Sequence, residues 1–258
     1  PVESLPWPSL FPWAMHWKTP VLTAIVYAAT VKYINTQQPT GGLSRVQARY
    51  RKAAEGASMA FTTFVVLHNL LLCVYSAVTF YHAVTTLHQR VQNEYSWHGV
   101  LCDTEEKFWR SGLYYWGYLF YLSKYYEIID TIIILLKGRR SSTLQTYHHS
   151  GAILCMWAGI QFRSIPIWIF VVFNSLVHTI MYFYYLCTTV GLHPPGKPYI
   201  TFMQITQFLL GIFMAVGYLF VPNCLVTEGS RFAAHVNVLY LLPLIYLFVQ
   251  FAINTYSR

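Results

Sequence analysis

Long apolar segments constrain the fold of this chain more than any other feature. Only 10% of its 258 residues are charged, whereas a soluble domain carries roughly 25%. A helix of about 20 apolar residues is long enough to cross a bilayer. Seven such segments lie near residues 20–36, 59–84, 113–136, 143–161, 165–188, 199–221 and 235–256. The sequence therefore predicts an all-α membrane protein with seven transmembrane helices and a single domain, residues 1–258.

Basic residues are unevenly distributed between the predicted loops, which indicates an orientation in the membrane. One cluster follows the first span and another follows the third: Arg45, Arg49, Arg51 and Lys52, then Lys137, Arg139 and Arg140. Loops rich in Lys and Arg usually lie in the cytosol, so we expect a lumenal N-terminus and a cytosolic C-terminus. Residues 1–19, with tryptophans among prolines, are expected to lie at the membrane interface. A net charge of +8 could suggest a nucleic-acid partner, but the clustering of basic residues in these loops argues against one.

Polar side chains inside the spans indicate a chemical site at membrane depth. Gln145, His148 and His149 begin the fourth span, at spacings that place them on one helical face. Ionisable groups at that depth are costly and usually face a cavity where they bind or react. Three other spans carry polar residues at helical spacing: Lys124, Glu127, Asp130 and Thr131, then Asn174, His178 and Tyr182, then Gln204 and Gln207. We expect these four consecutive spans to line one cavity.

Each of these polar groups also has a structural interpretation. Lys124 and Glu127 could form an ion pair that only fixes helix packing. Gln204 and Gln207 could be ordinary amides between helices. The functional interpretation is that Glu127 and Asp130 orient histidines on the next helix, as carboxylates do for imidazoles elsewhere.

The histidines allow chemistry with or without a metal. A membrane di-iron oxygenase needs about eight clustered histidines, because each iron takes several ligands, and this chain has one His-His pair. A zinc site from His148, His149 and His178 is a further alternative. Without a metal, an imidazole held in one tautomer can attack a thioester, while other donors polarise the developing oxyanion. The remaining histidines, including His68 and His82 in the second span, are interpreted as interfacial or structurally satisfied, with His82 the strongest candidate for an exception.

Two of the five cysteines lie in predicted lumenal loops. Cys102 lies between the second and third spans, and Cys224 lies between the sixth and seventh. An oxidising lumen would let them form a disulfide. The alternative is two free thiols, because cysteine partners cannot be established from sequence.

Four segments together resemble the membrane fatty acid elongases, the 3-oxoacyl-CoA synthases of very-long-chain and polyunsaturated acyl elongation. They are residues 124–131, 144–149, 174–182 and 201–208. The resemblance implies an endoplasmic reticulum enzyme in which six of seven spans form a barrel around an acyl tunnel. It implies condensation of an acyl-CoA with malonyl-CoA to a 3-oxoacyl-CoA, CO2 and coenzyme A, without a metal or organic cofactor. Other enzymes of the elongation cycle are possible partners.

The resemblance also implies roles for individual residues. His148 would be the nucleophile that accepts the acyl group, and His149 would assist in positioning or proton transfer. His178 would stabilise or deprotonate the malonyl-derived group. Glu127 and Asp130 would orient imidazoles. The residues expected at the substrates are Lys124, Lys137, Arg139, Arg140, Asn174, Tyr182, Gln204 and Gln207, with Lys137, Arg139 and Arg140 at the coenzyme A phosphates.

Gln145 departs from the usual family pattern HxxHH, in which a histidine stands at its position. Glutamine donates and accepts hydrogen bonds but carries no proton, so this position cannot be an essential acid or base here. The QxxHH variant resembles members associated with polyunsaturated substrates. The alternatives to an elongase are a histidine-rich lipid oxidoreductase of the desaturase or hydroxylase type and a non-catalytic seven-helix lipid-binding protein. Chain-length preference and oligomeric state are not predicted.

Overall fold

A computed structural model describes residues 2–37 and 45–256, with the side chains of residues 45–58 excepted. Regular structure in these ranges is entirely helical, so the all-α prediction is confirmed. The α-helices are α1 (Phe11–Ala14), α2 (Lys18–Gln37), α3 (Arg45–Asn93), α4 (Trp97–Leu101), α5 (Tyr114–Tyr126), α6 (Ile128–Leu136), α7 (Thr143–Gln161), α8 (Ile167–Thr189), α9 (Lys197–Phe220) and α10 (Glu228–Tyr256). A short π-helical turn, Trp109–Leu113, precedes α5.

A helix stands at each predicted span, but the third span is interrupted. Residues 113–136 are divided between α5 and α6 at Glu127. The amide of Asp130 donates to the carbonyl of Glu127, three residues earlier, at 3.0 Å. This tighter step breaks the regular i to i−4 pattern of an α-helix. The polar residues Lys124, Glu127 and Asp130 keep helical spacing across this point, so the sequence pattern does not reveal the break.

Four helical segments of the described residues are long and apolar enough to cross a membrane: Met59–Asn93, Ile167–Thr189, Lys197–Phe220 and Glu228–Tyr256. The helices at the other predicted spans are shorter or more polar. For example, α5 and α6 have 13 and 9 residues, each too few to span about 30 Å of hydrocarbon alone. The chain is a multi-pass membrane protein, whereas the count of seven spans and the barrel of six stay predictions.

Helix packing brings the polar segments towards one another. Helix α3 packs on α8, α8 on α9, α9 on α10, and α10 on α7. Helix α7 also packs on α2 and α5, and α5 contacts both α3 and α8. The side chains buried most deeply at these contacts are large and mostly apolar, among them Tyr118, Ile153, Ile169 and Leu244. The spans predicted to line a cavity are therefore neighbours in space.

The two ends of the helices are held by different contacts. At one end, the Asn35 side chain donates to the Ser141 carbonyl at 2.9 Å and accepts from the Ser141 amide at 3.0 Å. This joins α2 to the loop between α6 and α7. At the opposite end, the Sγ atoms of Cys102 and Cys224 are bonded, and buried Arg90 donates to Asp103 at 2.8 Å. The disulfide ties the loop after α4 to the loop between α9 and α10.

The predicted orientation depends on basic residues at the end opposite the disulfide. Lys137, Arg139 and Arg140 are exposed there, directly after α6. Outside the described residues lie Arg258 and the side chains of Arg45, Arg49, Arg51 and Lys52. The orientation stays a prediction.

We expect peptide mapping under non-reducing conditions to recover Cys102 and Cys224 as one linked pair, because their sulfur atoms are bonded in the structure. The measurement is mass spectrometry of a digest alkylated after denaturation and before reduction. Cys73, Cys155 and Cys187 are free thiols and provide an internal control, since all three should be alkylated in the same sample. Alkylation of Cys102 or Cys224 without reduction would contradict the bond.

Candidate active site

A polar cavity of about 440 Å³ lies between the helices, beside the loop that follows α6. Its lining includes most of the residues predicted to form the site. These are Asp130, Lys137, Arg139, Gln145, His148, His149, Asn174, His178, Tyr182, Gln204 and Gln207. The prediction that separate spans contribute to one cavity is therefore matched by the geometry. Lys124 and Glu127 are buried close to it, and Arg140 lies on the adjoining loop.

A second cavity, narrow and mostly apolar, lies further along α7. It measures about 40 Å³ and is lined by side chains such as Met156, Ile169 and Leu241. Four residues line both cavities: His148, Asn174, Gln207 and Phe208. His148 therefore stands where a polar compartment meets an apolar one.

His148 has a close polar neighbour on α10. Its Nδ1 atom lies 3.0 Å from the hydroxyl of Tyr240. The same hydroxyl donates to the backbone carbonyl of His148, also at 3.0 Å. The rings of Phe208 and Phe248 pack against the imidazole, with centroids 6.2 and 6.4 Å away. The orientation of the imidazole is therefore set by contacts from two other helices, α9 and α10.

His149 is held by a different set of side chains. The Gln145 amide nitrogen donates to Nε2 of His149 at 2.8 Å and lies 3.4 Å from the hydroxyl of Thr131. That hydroxyl is 2.7 Å from the hydroxyl of Tyr27 on α2. Among the described residues, the buried Nδ1 of His149 has no hydrogen-bond partner. Gln145 thus occupies Nε2 of His149 with a hydrogen bond.

Lys124 and Glu127 form a buried ion pair, with Nζ 2.8 Å from Oε1. Lys124 also donates to the side-chain oxygen of Asn174 at 2.9 Å. Nδ1 of His178 lies 3.7 Å from the same Oε1 of Glu127, which is too long for a hydrogen bond. The Lys124–Glu127 ion pair expected by the structural interpretation is therefore present. It lies next to His178, as the functional interpretation also expects of a carboxylate beside a histidine.

Asp130 has different partners from those expected. Its Oδ1 accepts from Nε2 of His68 at 2.8 Å, and its Oδ2 accepts from the hydroxyl of Tyr182 at 2.6 Å. The sequence predicts that Asp130 orients a histidine on the next helix and that His68 is structural. Instead, Asp130 orients an imidazole of α3, because helix packing places His68, a residue 62 positions earlier, opposite its carboxylate. His68 is therefore part of the polar network around the cavity.

The two glutamines of α9 differ in their contacts. The Gln204 amide donates to Sδ of Met181 on α8 at 3.2 Å, an interhelical contact of the kind anticipated. Gln207 is buried, and its Oε1 has no partner among the described residues. Within the same ranges, no group of three or more His, Cys, Asp or Glu side chains is placed to hold a metal ion.

Reasoning from sequence missed Tyr27, His68 and Tyr240, which lie on α2, α3 and α10. His68 carried a usable signal, since an ionisable residue within a span is a functional candidate by default. The two tyrosines did not, because the chain contains 21 tyrosines and nothing in their local sequence distinguishes these two.

Comparison with known proteins identifies the family. The ELO family model, described as the GNS1/SUR4 family, matches residues 12–258. The chain belongs to the GNS1/SUR4 family. The membership inferred from four short segments is thereby confirmed, and the match extends over nearly the whole chain.

Named relatives agree with this assignment. Fatty acid elongase A of Dictyostelium discoideum is 30% identical over 201 residues, which cover 76% of this chain and 72% of that protein. Another D. discoideum protein with fatty acid elongase in its name is 34% identical over 199 residues, 75% of this chain and 66% of its own length. Fatty acid elongase sre1 of the same organism is 33% identical over 164 residues, 63% of this chain and 60% of its own length. The chain thus matches about two thirds of the length of these relatives.

Proposed function

We propose that this protein is the condensing enzyme of fatty acid elongation. It joins an acyl-CoA to malonyl-CoA and releases CO2, coenzyme A and a 3-oxoacyl-CoA that is two carbons longer. The names of its relatives support elongation. The single observation that favours the condensing step is the position of His148, a nucleophilic side chain between a polar and an apolar cavity.

The two cavities suit the two parts of an acyl-CoA. An acyl chain is hydrophobic, and the walls of the narrow cavity are mostly apolar, although Lys124 also lines it. At about 40 Å³ it would have to widen to admit a long chain. Lys137 and Arg139 line the polar cavity, and Arg140 is on the same loop. Their charges would bind the coenzyme A phosphates. A thioester bound in this way would lie beside His148.

The hydrogen bonds favour His148 over His149 as the nucleophile. Nε2 of His149 already accepts from Gln145, so its lone pair is occupied. Nε2 of His148 would attack the thioester carbonyl, the C–S bond would break, and the departing thiolate would take up one proton from the solvent. Asn174 and Gln207 line the same junction, and their amide groups would donate to the oxyanion that develops.

The second half of the reaction uses the malonyl group. Loss of CO2 from malonyl-CoA leaves an enolate, whose carbon would attack the acyl group on His148 and release the imidazole. His178 lines the cavity near the Lys124–Glu127 pair and would stabilise the enolate oxygen. His148 then returns to its neutral form, and the cycle consumes one solvent proton, which ends on the thiol of the released coenzyme A.

We infer that the enzyme lies in the endoplasmic reticulum membrane, with the basic loop towards the cytosol, where acyl-CoA and malonyl-CoA are supplied. The Cys102–Cys224 bond at the opposite end suits an oxidising lumen. The N-terminus would then be lumenal and the C-terminus cytosolic. Gln145 suggests polyunsaturated acyl groups as substrates.

The test is an assay of purified protein with a panel of saturated and polyunsaturated acyl-CoAs and malonyl-CoA labelled with 13C at all three malonyl carbons. We expect products that retain two labelled carbons, because the third leaves as CO2. Mass spectrometry of the products also ranks the acyl substrates. An unextended product that has lost two hydrogens, formed without malonyl-CoA, would instead indicate a desaturase. Absence of any extended product from folded protein across the panel would overturn the proposal.

A further inference from the structure

We propose that Tyr240 is a positioning residue that holds His148 with its proton on Nδ1, so that Nε2 keeps a free lone pair for the acyl group. This inference rests on the proposed function. It assigns to α10 a part in the reaction, although α10 is outside the four segments that carry the family resemblance.

The protonation of His148 follows from two hydrogen bonds made by one hydroxyl. The Tyr240 hydroxyl lies 3.0 Å from the His148 carbonyl and 3.0 Å from its Nδ1. A carbonyl can only accept, and a tyrosine hydroxyl has a single proton to donate. That proton is directed to the carbonyl, so the hydroxyl oxygen accepts from Nδ1. Neutral imidazole carries one N–H, and Nε2 is therefore unprotonated.

The position of the Tyr240 ring is fixed independently of its hydroxyl. A Cβ atom added to Gly151 would clash with Cε2 of Tyr240, so the ring occupies the space that a side chain on α7 would fill. The ring is also stacked on Tyr147, with centroids 5.5 Å apart. Gly151 follows His148 by one helical turn. The absence of a side chain at Gly151 thus lets the hydroxyl reach back to His148.

The hydrogen bond to Tyr240 matters most after the acyl group is transferred. Attack by Nε2 breaks the C–S bond and converts neutral His148 into an acyl-imidazolium that still carries its proton on Nδ1. A hydrogen bond from a charged donor is stronger than one from a neutral donor. The Tyr240 oxygen therefore stabilises the product of attack more than the starting imidazole, which lowers the barrier. When the enolate carbon takes the acyl group, His148 returns to its neutral Nδ1–H form.

The test isolates the first half-reaction. Purified protein is mixed with acyl-CoA without malonyl-CoA, and the acyl adduct is followed by intact-mass spectrometry. We expect Tyr240→Phe to slow adduct formation roughly 10- to 100-fold, the range for losing one hydrogen bond to a charged group. Tyr147→Phe is the matched control, because its hydroxyl contacts the Tyr240 carbonyl at 3.2 Å and not His148. It should form the adduct at the wild-type rate.

A second readout does not depend on turnover. 15N shifts of histidine-labelled protein distinguish the two imidazole tautomers, and the His148 signal is assigned by its loss in His148→Ala. We expect Nδ1–H in the wild type and a mixture in Tyr240→Phe. Gly151→Ala should produce a similar mixture by displacing the ring. An unchanged tautomer and an unchanged acylation rate in Tyr240→Phe would overturn this inference while leaving the proposed function intact. A wild type that forms no adduct would instead count against the acyl-histidine step, and the 15N shifts would still decide the role of Tyr240.

Discussion

His148→Ala should reduce elongation to background, a loss of about 1,000-fold or more, which is typical when a nucleophile is removed. His148 lies between the polar and apolar cavities. Gln145 hydrogen-bonds to Nε2 of His149 and not to Nε2 of His148. The measurements are product formation and the acyl adduct of the protein. Melting temperature and elution volume establish that the variant folds.

His149→Ala is the comparison that makes this result specific. We expect it to lower the rate of product formation but to keep the acyl adduct, since His149 lies beside His148, the proposed nucleophile, and is held by Gln145. The reverse pattern, with an adduct in His148→Ala and none in His149→Ala, would exchange the roles of the two histidines.

Lys124→Met should destabilise the protein strongly. Lys124 is 3% exposed and Glu127 is 2% exposed, so removal of the ammonium leaves a buried carboxylate without its counter-charge. Breaking a buried ion pair on one side costs about 3–5 kcal/mol. We expect a correspondingly lower melting temperature in detergent. Lys124→Met combined with Glu127→Gln removes both charges and should recover much of the lost stability.

The double variant also separates the structural and functional interpretations of this pair. If the pair serves only helix packing, elongation should return together with stability. Since Nδ1 of His178 lies 3.7 Å from Glu127, we expect elongation to stay low in the stable double variant. Full recovery of both properties would show that the pair is structural.

Helix positions were accessible from sequence because they depend on local properties. Apolar length predicts the spans, and spacings of three and four residues predict which side chains share a face. These rules predict that Gln145 and His148 on one helix and His178 on another face the same cavity, and all three line the polar cavity of the structure. The same reasoning placed Cys102 and Cys224 on one side of the membrane, where the structure joins them.

Contacts between distant helices were not accessible in this way. Polar residues keep helical spacing on both sides of the break at Glu127, so the sequence predicts one helix over residues 113–136. The pairing of Asp130 with His68 and of Tyr240 with His148 joins residues 62 and 92 positions apart. Such pairs depend on which helices become neighbours and on how far one helix is displaced along its axis relative to the other. A single sequence without related sequences carries little information about either.

The hydroxyl of Tyr27 connects α2 to the site through Thr131 and Gln145. Hybrid proteins that exchange the first span between family members are an obvious way to ask which segments select the substrate. In this protein such an exchange would alter the support of His149 as well as the lipid-facing surface. A change in activity after exchanging α2 could therefore originate at His149, and a hybrid that retains Tyr27 would be needed to tell the two origins apart.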